Sequence, residues 1–196
     1  MTPTTKVVVF VVIALLVALW LIPLIVAGVT SLRTNDDILQ HGFLAWPERI
    51  SFQSFSDAWE RGGLDKYLPN SFIITFPSLF LTLALSSLAA YALARFRFKG
   101  RNFFYFLFVG GTMLPFQILL LPVFQLSDFL GIYDTYVGLI AIHVAFQLGF
   151  CTFVLRNYMM TVPVQLMESA RLDGCSELRI WWSIMLPLTV PAFAAI

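Results

Sequence analysis

The pattern along the chain is one of long, unbroken apolar runs separated by short polar segments. The first run, Val7 to Val29 (VVVFVVIALLVALWLIPLIVAGV), contains no charge. A bilayer core about 30 Å thick takes roughly 20 mostly apolar residues as a helix, so this run predicts a membrane span. A cleaved signal peptide is the competing reading, but its apolar core would be only about 7–15 residues long and would end in a small-residue cleavage site. The longer run reads as a retained anchor. Further spans are predicted over about Asn70–Ala94, Phe103–Gln125 and Tyr136–Tyr158. The second span carries Pro77 and the small residues Ser86, Ser87, Ala89 and Ala90, which let membrane helices approach closely. The third contains Gly110, Gly111, Pro115 and Pro122 and is expected to be kinked or broken. A fifth apolar run starts near Ile184 and continues to Ile196, where the sequence stops. The expectation is an all-α, polytopic membrane protein with four complete transmembrane helices plus the start of a fifth, C-terminally incomplete.

Composition agrees with the pattern. Of 196 residues 59% are hydrophobic and 12% charged, about half the charged share of an ordinary soluble domain. The charges also sort by segment. Arg95, Arg97, Lys99 and Arg101 lie between spans two and three with no acid among them, which places that turn in the cytoplasm. The N-terminus with Lys6 is then cytoplasmic too, as is everything from Arg156 to Arg179. The Thr30–Pro69 and Leu126–Thr135 loops fall outside and hold most of the acids: Asp36, Asp37, Glu48, Asp57, Glu60, Asp65, Asp128 and Asp134. The chain thus divides into an N-terminal anchor (1–29), an external loop (30–69) and a membrane core (70–196). The loop's Trp46, Pro47, Phe52, Phe55 and Trp59 read as interface anchors or as a docking surface for an external partner. A net charge of +1 offers no basic surface for nucleic acid. Cys151 and Cys175 have no Cys or His neighbours of the kind a metal site needs, and read as packing residues.

The polar segment Tyr158–Pro191 is the most informative. Thr161 can cap a helix and Pro163 suits its first turn. Leu166, Met167 and Ala170 then share a face, and Glu168 can pair with Arg171 three residues on. Asp173-Gly174 is a turn signal. A second short helix from Ser176 to about Ser183 would lie along the membrane surface with Trp181 and Trp182 at the headgroups, and Leu186-Pro187 would open the fifth span. The result is a compact helix–turn–helix over 161–183, held between two spans on the cytoplasmic side. It offers a handle for another protein, although amphipathic loop helices of no special function are common in polytopic proteins.

The spacing of Glu168-Ser169-Ala170, Asp173-Gly174 and Ile184-x-Leu186-Pro187 closely resembles the "EAA" motif of ABC importer permeases, which reads Glu-Ala-Ala, Gly after three residues, and Ile-x-Leu-Pro after nine more. Ser169 for Ala is the one departure in the triplet. Softer matches extend from about Tyr67 to the last residue: Leu68-Pro69-Asn70-Ser71, Ala90–Arg95, Met113–Gln117 and Leu130–Thr135 look like the carbohydrate-uptake branch, which includes permeases for maltose, trehalose and glycerol-3-phosphate. The resemblance implies the type I importer fold with six spans in the bacterial inner membrane. It further implies a second homologous permease, two cytoplasmic ATPases that bind ATP and Mg, and an external solute-binding protein. In that frame Glu168 is a polar contact to the ATPase, Ala170 a small packing residue and Gly174 the turn. Ser169, Asp173, Leu186 and Pro187 complete the coupling element.

Four polar residues fall at membrane depth: Gln117, Gln125, His143 and Gln147. Such groups usually face a protein interior or an aqueous cavity, so they are candidates for a sugar path, with interhelical hydrogen bonding as the competing reading. An ion-coupled secondary transporter would instead use intramembrane acids or bases, and the spans place none near the midplane. Neither a nucleophile–base pair, nor paired carboxylates, nor a metal cluster, nor a phosphate loop occurs, so no enzyme chemistry is expected in this chain. A permease for peptides, phosphate or amino acids remains the alternative within the importer class.

Overall fold

The computed structural model describes residues 3–196. Its helices are α1 (Pro3–Ser31), α2 (Asn35–His41), α3 (Gln53–Glu60), α4 (Leu64–Arg95), α5 (Arg101–Thr112), α6 (Phe116–Phe129), α7 (Tyr136–Met159), α8 (Gln165–Leu172), α9 (Glu177–Ile180) and α10 (Leu186–Ala194). A π-helical turn, Trp181–Met185, joins the last two. Internal contacts divide the chain into two units, Met1–Pro69 and Asn70–Ile196, with the boundary inside α4.

In the first unit α1 is apolar on every side and exposed along its length, Phe10 by 74% and Trp20 by 80%, as a helix surrounded by lipid is. The loop that follows is organised by Arg33, which is fully buried. Its Nε donates to Asp37 Oδ2 at 2.8 Å, its Nη2 to Asp37 Oδ1 and to the Asp37 carbonyl, and its Nη1 to the Gly42 carbonyl at 2.6 Å. A buried cation is tolerable only when its donors are satisfied this completely. Thr34 caps α2 by accepting from the Asp37 N–H, and His41 Nδ1 lies 3.0 Å from Asp37 Oδ1. The guanidinium beside it holds the Asp37 carboxyl well down, at about 2. Trp46, Phe52, Phe55 and Trp59 are all more than half exposed.

In the second unit α7 is the central element. Gly149 lets α5 approach it closely: a Cβ there would sit 2.5 Å from the Phe108 carbonyl oxygen and 2.9 Å from the Thr112 methyl. Arg156 of α7 covers the Tyr105 ring of α5 at 4.0 Å. Tyr136, at the start of α7, donates to Asn70 Oδ1 of α4 at 2.7 Å. The best-packed core lies at the opposite end of α7, where Leu155 and Met159 meet Ala90 and Tyr91 of α4, Val162, Met167 and Ala170 around α8, and Ile180, Met185 and Ala192 beyond it.

The break expected in the Phe103–Gln125 run is present, and the boundary expected before the fifth apolar run is absent. The Phe103–Gln125 run is not one rod: α5 and α6 are bent by 103° at Met113–Pro115. Pro115 takes an extended backbone (φ −61°, ψ 128°) and disfavours helix in the residue before it, so α5 ends ahead of the proline and α6 begins after it. Three helices, α1, α4 and α7, are individually long and apolar enough to cross a membrane, and α5 with α6 meets that test only as a bent pair. Past Gly174, α9, the π turn and α10 form one helical run, so no break separates a surface helix from the fifth apolar segment. The Leu186 N–H bonds to the Trp181 carbonyl, and this wider turn directly precedes Pro187, which has no N–H to give to a regular one.

Candidate functional site

The α8 segment is built locally by capping. After Met159 the chain leaves α7 through a tight turn, in which the Thr161 hydroxyl donates back to the Tyr158 carbonyl at 2.7 Å. Thr161 therefore does not cap the next helix, which begins at Gln165 rather than at 161. The helix ends in a Schellman motif: the Cys175 N–H reaches the Ala170 carbonyl and the Gly174 N–H the Arg171 carbonyl, each at 3.0 Å. This geometry needs the left-handed backbone that Gly174 takes, φ +79°. Cys175 and Ala170 both join the core, completing the apolar contact that accompanies this cap. Ser176 then caps α9 by accepting from the Arg179 N–H.

Met167 (0% exposed) and Ala170 (7%) anchor α8 to the core, while Leu166 is 44% exposed and is not on that face. Glu168, Ser169, Asp173 and Gly174 are all exposed, and an added Cβ on Gly174 would meet nothing within 4 Å. Leu186 is half-buried and Pro187 exposed at the start of α10. The motif thus presents a polar, open face on a helix whose opposite face is fixed.

Arg171 does not pair with Glu168. Its Nε donates to Glu177 Oε1 at 2.6 Å and its Nη2 to Oε2 at 3.2 Å. The turn at Gly174 brings the start of α9 back against the end of α8, so the nearer carboxylate in space is six residues away in sequence. The Glu177 carboxyl is held below its ordinary range by the guanidinium, and Arg171 is raised in turn. Glu177 also accepts from the Tyr91 hydroxyl of α4 at 2.6 Å. One turn further along α4, Arg95 donates to the carbonyls of Met159 and Val162. The sequence pattern places Arg95 in the basic cytoplasmic turn and Ala90–Arg95 in the family resemblance, but gives no site role to Tyr91, Arg95 or Glu177. The available signal was a Tyr and an Arg at i, i+4 at the end of an apolar helix, where a buried hydroxyl and guanidinium require partners.

The membrane-depth polar residues separate into two groups. His143 and Gln147, one turn apart on α7, line two grooves at once. The larger, about 550 Å³, lies along the α6–α7 elbow with Phe116, Phe124, Tyr133 and Phe146. The smaller, about 330 Å³, is shared with Thr75, Ser78 and Thr82 of α4. Those three hydroxyls recur at helical spacing along one side of α4, and Ser78 Oγ is buried with no partner. Gln117 and Gln125 are exposed on α6 and line neither groove, because they lie off the side of α6 that carries Phe116, Leu120 and Phe124 into the larger one. Among the described residues no cluster of metal-ligating side chains occurs.

Residues 82–196, from mid-α4 through the whole α8 segment, match the family of binding-protein-dependent transport system inner membrane components. The chain is 36% identical over 169 residues to the probable ABC transporter permease protein YurM of Bacillus subtilis (strain 168), covering 86% of this chain and 56% of that protein. It is 33% identical over 186 residues to the diacetylchitobiose uptake system permease protein NgcG of Streptomyces coelicolor, covering 92% and 61%. A crystal structure of a bacterial ABC transporter involved in the import of the acidic polysaccharide alginate superposes with a TM-score of 0.77 at 26% identity, over 100% of this chain and 70% of that one. The chain spans roughly three-fifths of the length of the curated relatives it matches, 56% and 61% of these two. By its all-helical fold, its matched core and the motif displayed on α8, the chain belongs to the family of inner-membrane permease components of binding-protein-dependent ABC transport systems.

Proposed function

We propose that the protein is a permease subunit of an ATP-driven importer for sugars or oligosaccharides, and that α8 is its contact with the ATPase. The observation that carries this reading is the α8 surface itself: Glu168, Ser169, Asp173 and Gly174 stand open on a helix fixed from behind by Met167 and Ala170. In this reading α8 and the N-terminus are cytoplasmic, in keeping with the basic Arg95–Arg101 turn and the acidic outer loops. The working transporter contains a second, homologous permease, two ATPases that bind ATP and Mg, and an external solute-binding protein. His143 and Gln147, with the α4 hydroxyls and the aromatic rings of the elbow, provide the hydrogen-bonding and stacking groups that a sugar passing between them uses. The relatives named for diacetylchitobiose and arabinooligosaccharide uptake support the sugar class.

The test is uptake into vesicles reconstituted with the complete transporter and its binding protein. Labelled oligosaccharides should accumulate only with ATP on the α8 side and binding protein on the other, and insensitively to protonophore. Uptake of peptides, phosphate or amino acids in place of sugars would overturn the substrate class. Uptake driven by an ion gradient without ATP would overturn the mechanism.

A further inference from the structure

Three elements, one of them distant in sequence, meet at a single carboxylate. Glu177 opens α9, accepts from Nε and Nη2 of Arg171 in the last turn of α8, and accepts from the Tyr91 hydroxyl of α4, 86 residues earlier in the chain. Tyr91 is 4% exposed, and its ring is fixed edge-on against Phe96 at 5.6 Å, so its hydroxyl has one direction in which to donate. Arg95, on the same side of α4 one turn later, grips the Met159 and Val162 carbonyls, where the chain enters the α8 segment. The end of α4 therefore holds the α8 segment at both its entry and its exit. A tyrosine hydroxyl given to a carboxylate that is itself paired makes a charge-assisted bond, stronger than a neutral one and demanding in geometry. An apolar core contact alone would fix distance but allow sliding.

We propose that Tyr91, Glu177 and Arg171 form a clamp that positions α8 on α4, so that force applied to the open face of α8 moves α4 with it. Tyr91 and Glu177 are positioning residues, acting through the coupling helix and touching neither solute nor nucleotide. The inference rests on the permease reading above. Because α4 carries the Thr75, Ser78 and Thr82 hydroxyls of the smaller groove, the clamp joins the ATPase-facing surface to a wall of the proposed path.

The experiment compares the complete transporter with Tyr91→Phe, Arg171→Glu, Glu177→Arg and the Arg171→Glu/Glu177→Arg exchange. Co-purification of the ATPase, binding-protein-stimulated ATP hydrolysis and solute uptake are measured on each. Tyr91→Phe should assemble at the wild-type level and hydrolyse ATP, yet move at least about tenfold less solute per ATP, the scale expected for loss of one hydrogen bond to a charged group. Each single charge reversal should lower the same ratio, and the exchange should restore much of it. If uptake falls only in proportion to the amount of assembled complex, with solute per ATP unchanged, the contact is merely structural and the proposal fails. It also fails if both Tyr91→Phe and the single reversals keep the wild-type ratio. A wild-type complex that shows no ATP-dependent uptake of any solute would sink the permease reading instead.

Discussion

Replacing Gly174 by Asp separates folding from coupling. A non-glycine residue held at the left-handed φ of +79° that Gly174 adopts costs about 1–2 kcal/mol, with Asp and Asn at the low end. No atom lies within 4 Å of an added Cβ, so no steric cost is added. A carboxylate at the C-terminal end of α8 opposes the helix dipole by about 0.3–1 kcal/mol. The sum, about 1–3 kcal/mol, is below the usual 5–15 kcal/mol stability of a folded domain, and the Met167 and Ala170 anchors are untouched. The G174D subunit should therefore fold and insert. What changes is the open face, where a third carboxylate joins Glu168 and Asp173 and branches from a position that was flat. G174N is the control, since it carries nearly the same backbone strain without the charge. Uptake into vesicles, ATP hydrolysis and thermal unfolding are measured on the purified complex. G174D should unfold within a few degrees of wild type and lose most of its uptake, while G174N keeps a substantial part. Normal uptake by G174D would refute the assignment of this surface. Equal loss in both variants would show that backbone strain, and not the shape and charge of the face, is responsible.

Three further outcomes follow from the packing. Met167→Ala empties a fully buried site behind α8 and should cost about 2–5 kcal/mol, read as a lowered unfolding temperature with ATPase co-purification reduced in parallel; an unchanged Tm would place Met167 outside the core. Gly149→Ala forces a methyl against the Phe108 backbone carbonyl at 2.5 Å, and because backbone cannot rotate aside it should destabilise the complex by about 1–3 kcal/mol, whereas Gly110→Ala, open within 4 Å, should not. The outer loop should loosen in acid: Asp37 sits at about 2 in the folded loop against about 3.9 unfolded, so its contribution is complete above about pH 4 and lost as pH falls towards 2. Hydrogen exchange at Gly42 should rise over that window in wild type, while Asp37→Asn should be looser at neutral pH and flat across it; parallel profiles would mean that Arg33 does not hold the loop through this carboxylate.

The parts of the molecule legible in the sequence are those set by local patterns. Three of the apolar runs became α1, α4 and α7 because run length and the absence of charge directly express the cost of backbone and side-chain polarity in a bilayer. The third run shows the limit. Pro115 and Pro122 announced a break, but a hydropathy window cannot tell a kink from a 103° bend, and that angle decides where α6 points. Gln117 and Gln125, indistinguishable in sequence from Gln147, line neither groove, because they lie off the side of α6 that faces the larger one.

The α8 segment makes the same point at the level of single contacts. Asp173-Gly174 marked a turn, and the turn proved to be a Schellman cap, because its hydrogen bonds close within six residues. The pairing of Arg171 went the other way. On an isolated helix the i+3 carboxylate of Glu168 is the available partner, worth a few tenths of a kcal/mol at most. Once Gly174 reverses the chain, Glu177 offers two oxygens, and the buried Tyr91 hydroxyl can share one of them. The local pair therefore yields to the tertiary one, and Glu168 is left open on the outer face. A motif read from sequence gives the residues that are displayed. Which residues hold the display in place depends on a partner 86 positions away, and no spacing within the motif encodes it.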